Sequence, residues 1–420
     1  MKRQSRIHKR KRIITLVTFV LMVGGLIVAC STGGAGKPTE PQKVEETTAP
    51  PEDLSGLREF DGKTKMLTLG VGEAQRYSGG SALSSDNTGV LSVDTETGKL
   101  TAAAAGYATL SQTPSGGTAT KCFVTVRKAP TAVRFRNGSV NMQKGEKTTL
   151  YLIAGSDDEG FSSSDFTSDD SSVLSVSEDG TAEALAAGSA MVTAQCYNGK
   201  SAQIQVTVLD NSGFTDKTTT ANSDLREDSD WSSKSLGAVP AGSKVRQYGS
   251  SADGRWLKVR YGDICGWMYN KAFGEVTNYT EYTLATLPVM ADDLLFDIGT
   301  DKRAVFDFVY SIAYSNNEDD TNENLCVDYF KTVRGSCYTH AAMLCYLYNR
   351  CGYESLRLVG ESAYEGAGDH SWCLTKTEDG WRHFDAQFFT IREADEQFGV
   401  TDDTYWQWFH WDKTNTPAAV

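Results

Sequence analysis

Arg334-Gly335-Ser336-Cys337 opens an amphipathic helical pattern, and His370-Ser371-Trp372 and Trp381-Arg382-His383-Phe384-Asp385 follow it in that order. A thiol, an imidazole and a carboxylate in three different local settings are what cysteine-based acyl transfer requires. The thiol attacks, the imidazole takes and returns its proton, and the carboxylate holds the imidazole. On its own, Cys337 could equally be a small buried thiol; the histidine and the aspartate are what give it a chemical reading.

The elements that position these residues follow from periodicity. After Cys337, Ala341, Leu344, Cys345 and Tyr348 recur at helical spacing, and Cys351-Gly352 offers a stop. Gly335 breaks the chain just before, so Cys337 lies at or near a helix N-terminus. There the unpaired N–H groups and the positive dipole end favour a thiolate and could receive an oxyanion. Residues 370–374 read as a strand, Glu378-Asp379-Gly380 as a turn, and residues 381–384 as the returning strand. The midpoint between His370 and Asp385 falls beside that turn, so hairpin closure brings the two side chains together. Strand alternation turns Cys373 away from His370. His340, one helical turn after Cys337, is the rival base, and His383 suits a structural role. Residues 301–314 read as a further helix with Val305, Phe306, Phe308, Val309 and Ile312 on its apolar face, and residues 316–324 as an acidic loop.

Upstream, the 420-residue chain is too long for one core. It begins with seven basic residues and no acid before an apolar run at 13–28, followed by Ala29-Cys30. That is the layout of an export signal, and Ile27-Val28-Ala29-Cys30 resembles the lipobox of bacterial lipoproteins, which implies lipidation at Cys30. A spanning helix needs about 20 apolar residues, and this run has 16. Without residues 1–29 the chain carries 34 basic against 54 acidic residues, a charge of −20, which disfavours nucleic acid as a partner. Residues 30–60 hold four of the nine prolines and read as an extended linker. Of the cysteines besides Cys30, no spacing suggests a metal site, and no cofactor motif occurs. Cys326, Cys345, Cys351 and Cys373 leave a disulfide open.

An internal repeat follows the linker. Val90-Leu91-Ser92-Val93 recurs as Val173-Leu174-Ser175-Val176, 83 residues on, and Gly98, Gly106 and Val124-Thr125-Val126 recur as Gly180, Gly188 and Val206-Thr207-Val208. Short alternating strands between turn residues predict two β-sandwiches, 61–128 and 129–210. Both resemble the group 2 bacterial immunoglobulin-like domain, and they read as spacers. Residues 211–278, with Pro240-Ala241-Gly242, Trp256-Leu257-Lys258-Val259 and Gly266-Trp267, resemble the bacterial Src-homology-3-type barrel. That resemblance suggests a cell-wall peptidoglycan partner, unless Trp256 and Trp267 are core residues.

The segment 279–420 resembles the transglutaminase-like superfamily. The matching residues are Gly335, Cys337, Ala341, Gly352, the strand at 356–360, His370, Trp372, Trp381 and Asp385. The resemblance implies a papain-like α+β fold with Cys337 as nucleophile, His370 as base and acid, and Asp385 as its orienter. Ala386-Gln387 departs from the Pro-Thr common after the Asp. No side-chain oxyanion donor is assignable, Tyr314 being a candidate only. The expectation is therefore a multidomain protein: two immunoglobulin-like sandwiches, a small β-barrel and a C-terminal α+β domain. Its implied function is a surface-anchored lipoprotein acting on peptide or protein amides through a Cys337 thioester, as a peptidase or amidase at the cell envelope. Protein-glutamine transamidation, or a non-catalytic wall-binding or adhesion role, are the alternatives.

Overall fold

The computed structural model describes residues 53–79, 82–113, 120–275, 279–316, 318–363, 368–387 and 394–419. Residues 1–52, on which the export-signal and Cys30 lipobox readings and most of the expected linker fall, lie outside them. Among the described residues no helix is long and apolar enough to cross a membrane.

The chain is mostly β, and its first half is two successive units of paired short-strand sheets. Strand burial alternates as a half-buried sheet requires: in Gly188–Cys196, Ala190, Val192, Ala194 and Cys196 point inward. The sequence repeat is a repeat of topology. Met66–Gly70 runs parallel to Thr120–Arg127 in the first sandwich, as Ser139–Gln143 runs parallel to Ser201–Leu209 in the second. Gly106 and Gly188 show why this residue recurs. Both have positive φ (150° and 155°), and a Cβ there would meet the Val90 side chain at 2.8 Å or the Val173 side chain at 3.0 Å. The first sandwich begins earlier than residue 61, because Arg58–Glu59 pairs with Gln75–Arg76 and Phe60 is buried in its core. The linker reading therefore ran a few residues too far.

Residues 215–269 form a six-stranded antiparallel sheet. It has two apolar sides. Leu225, Val239, Val245, Leu257, Val259, Met268 and Ala272 form its own core. Trp231, Trp256, Trp267 and Tyr269 join a different core, shared with the helices that follow. Trp256 and Trp267 are 4% and 2% exposed, so they are core residues and offer no aromatic platform to a ligand.

Four helices come next: α1 (Leu287–Ile298), α2 (Lys302–Tyr310), α3 (Asn322–Thr332) and α4 (Cys337–Arg350). Asp301 caps α2 by accepting from the N–H groups of Arg303 and Ala304. The helix stops at Tyr310, short of the expected end, because Ala313–Tyr314 leaves to pair with Arg334–Gly335. The acidic loop is also shorter than expected: Thr321 caps α3, and 322–324 are helical.

The strands Phe398–Val400, Gly380–Phe384, Asp369–Thr377, Ser355–Ser362 and Phe409–His410 form one antiparallel sheet in that order. Cys373 and Phe384 face α4, whereas Trp372, Leu374 and Trp381 face an aromatic layer of Tyr405, Trp408, Phe409 and Trp411. Covered on both sides, Asp369–Thr377 is buried from His370 to Lys376.

The β-rich units are not strung out as spacers. Tyr197 Oη donates to Val71 O at 2.7 Å between the sandwiches, and Lys258 Nζ meets buried Glu146 at 2.9 Å between the second sandwich and the six-stranded sheet. Asp292 of α1, 1% exposed, accepts from Trp231 Nε1 at 3.0 Å and Arg350 Nε at 2.9 Å, and also pairs with Arg255. The circuit closes where the first sandwich meets the C-terminal sheet. Lys376 Nζ donates to Thr125 Oγ1 at 3.0 Å, Thr125 Oγ1 donates to Glu354 at 3.0 Å, and Tyr107 sets its ring edge-on to Trp381 at 5.3 Å.

Candidate active site

Cys337 is the first residue of α4 and is half-buried. Its position is fixed from behind. The strand Arg334–Gly335 holds the preceding residues, and a Cβ on Gly335 would run into Thr339 in the first turn of the helix. Ser336, the N-cap residue, makes no side-chain cap, and its buried hydroxyl has no partner among the described residues. The first-turn N–H groups, which no helix carbonyl can reach, are thus left without a side-chain acceptor from the cap. They are the donors an anion at this end would use.

The hairpin supplies the other two groups. Thr377 pairs with Gly380, so the turn is Glu378-Asp379, one residue beyond the midpoint expected from His370 and Asp385. Asp385 leaves the ladder just after Phe384 and still reaches back: its Oδ2 lies 2.7 Å from His370 Nε2. The Cys337 thiol lies near enough on the ring's other side to act on its protonation. His370 is 2% exposed and stacks on Phe409 with centroids 4.4 Å apart. Burial by itself would depress the imidazole's pKa. The Asp385 charge and hydrogen bond, then the hydrogen bond and charge of Cys337, outweigh it and raise the value to about 9. The ring therefore holds a proton at neutral pH.

A residue invisible to sequence reasoning completes the pair. Tyr405 Oη donates to the same Asp385 Oδ2 at 2.7 Å, while Gln387 N donates to Oδ1 at 3.1 Å. Tyr405 belongs to the aromatic C-terminal segment, which packs beneath the sheet. An excess of aromatics was the only signal, and it did not single out this one. Burial, then the Asp385 charge, push its phenol well above the ordinary range, so it stays a donor.

The remaining candidates are accounted for. His340 is 2% exposed and its two ring nitrogens face carbonyls, Ser336 O at 2.8 Å and Ile312 O at 3.1 Å. With both nitrogens so placed, it has none to offer the thiol. Cys373 is fully buried against α4. His383 accepts from Trp372 Nε1 at 2.9 Å on Nδ1, so its proton is on Nε2, directed at Asp402 2.8 Å away; it is a neutral structural group. Tyr314 is 49% exposed on the strand paired with Gly335, and among the described residues no hydrogen bond aims its hydroxyl at Cys337. Among the described residues no cluster of His, Cys, Asp or Glu could hold a metal.

No family model and no curated protein matches the chain. Solved structures share fragments of it. Domains 4 and 5 of the S-layer protein SbsC are 23% identical over 31% of this chain and 70% of that one, with a TM-score of 0.17. The C-terminal fragment of intimin, in complex with the intimin-binding domain of the translocated intimin receptor, is 13% identical over 34% of this chain and 55% of that one, with a TM-score of 0.16. Drosophila N-cadherin EC1-3 is 12% identical over 49% of this chain and 84% of that one, with a TM-score of 0.17. The chain spans 30% of a longer SbsC structure. At such TM-scores these likenesses carry no argument about fold or activity.

Proposed function

We propose that the chain is a surface-anchored lipoprotein whose segment 279–420 is a papain-like, transglutaminase-like α+β domain catalysing thiol-dependent acyl transfer from peptide or protein amides. The single observation that carries the reading is the buried His370 imidazole, bonded to the Asp385 carboxylate and close to the Cys337 thiol at the start of α4. In this reading the Cys337 proton resides on His370. The sulfur attacks the amide carbonyl, and the oxyanion is received by N–H groups of the α4 first turn. His370 gives its proton to the leaving amine, which departs as the thioester forms. Water then attacks the thioester, His370 takes its proton, the acid is released and the Cys337 sulfur leaves as the thiolate with which the cycle began. Hydrolysis is the favoured outcome, since water is always at hand. An amine in place of water makes the same site a transamidase. Trp256 and Trp267, both buried, do not contribute to any contact with a cell-wall substrate. Anchoring rests on Cys30 and the leader, outside the described residues.

Iodoacetamide labelling at mildly acidic pH tests the chemistry. Cys337 should be modified at least tenfold faster than the other cysteines, and His370→Ala should abolish the difference. Equal rates at all cysteines would sink the reading in favour of a non-catalytic surface lipoprotein. Peptide release measured beside amine incorporation then distinguishes hydrolysis from transfer.

A further inference from the structure

The helix that carries Cys337 and the strand that carries His370 meet a second time. Cys345, about two turns along α4, donates its S–H to the sulfur of Cys373 at 2.7 Å. Both residues are free thiols and fully buried. Among the described residues no other two cysteine sulfurs are in hydrogen-bond contact; Cys326, also fully buried in the same core, is the rival partner. The two sulfurs already face each other across the packed interface of α4 and the strand, the approach that a disulfide needs.

We propose that Cys345 and Cys373 are a disulfide site, a covalent staple between the nucleophile helix and the histidine strand. It closes when the chain folds, or opens locally, in the presence of a low-molecular-weight disulfide. The Cys345 thiolate attacks one sulfur of that disulfide, forming a mixed disulfide and releasing one thiolate. The Cys373 sulfur then attacks the Cys345 sulfur and releases the second. Two S–H bonds are lost, their protons end on the two released thiols, and the oxidant gains both electrons. Once formed and buried, the bond is shielded from exchange. The staple does not depend on acyl transfer being the activity.

Peptide mapping under non-reducing conditions tests it. The full chain, as Cys337→Ala so that this thiol cannot shuffle bonds, is refolded with oxidised glutathione, acid-quenched and alkylated in denaturant. A peptide joining Cys345 to Cys373, two hydrogens lighter than the pair of free peptides, is expected, with Cys326 and Cys351 recovered alkylated. Recovery of Cys345 and Cys373 as alkylated thiols, or a link from either to Cys326, overturns the proposal. A second reading uses stability: protein refolded in reductant should melt at a lower thermal midpoint than protein refolded with oxidised glutathione, while Cys373→Ser should melt alike after both, and equal midpoints for the two preparations also overturn it.

Discussion

His370 ties protonation to folding. In an unfolded chain its pKa returns to near 6.5, whereas burial opposed by Asp385 and Cys337 leaves it at about 9 in the fold. Between those values the folded state binds the extra proton. The group's contribution is thus fully present below pH 6.5 and is lost as pH rises through about 9, a loss on the order of 3 kcal/mol. Urea midpoints should fall over that window in the wild type and fall much less in His370→Gln; parallel profiles would contradict the assignment. Cys337, His370 and Asp385 were legible in the sequence because a turn and a helix start place them locally. Tyr405 was not, since its hold on Asp385 depends on how the last aromatic segment folds under the sheet, which no local pattern encodes.

At the scale of elements, the start of α4 is set by what precedes it. Val333 ends α3 in the left-handed region, φ 54°, and is 66% exposed. A β-branched residue there is strained by about 1–2 kcal/mol, and a glycine is not. Val333→Gly should therefore raise the denaturation free energy by about 1 kcal/mol, read from urea midpoints, and leave Cys337 labelling unchanged. The two strands of the hairpin and α4 were readable from turn residues and periodicity. The end of α2 was not: its apolar spacing continues to Ile312, but the backbone at Ala313–Tyr314 is claimed by Arg334–Gly335, a partner 21 residues away. Long-range pairing decides such boundaries, and helical periodicity is blind to it.

Across the whole molecule, buried charge joins the units. Asp292 is 1% exposed and serves Trp231, Arg255 and Arg350 together. Asp292→Ala would leave two guanidinium groups facing a void between the six-stranded sheet and the helices, a cost of about 3–5 kcal/mol. A thermal midpoint within a degree or two of wild type would show that the network is dispensable. The units themselves could be read from repeats and turn spacing; their mutual contacts could not, because Thr125 and Lys376 are 251 residues apart. That contact has a mechanical consequence. A pull entering the chain at Asp53 reaches the histidine strand through Thr125 and Lys376 by a short circuit, bypassing the long path along the polypeptide. The second sandwich and the six-stranded sheet are coupled in parallel with that link and not in series, so they stretch only after it has parted.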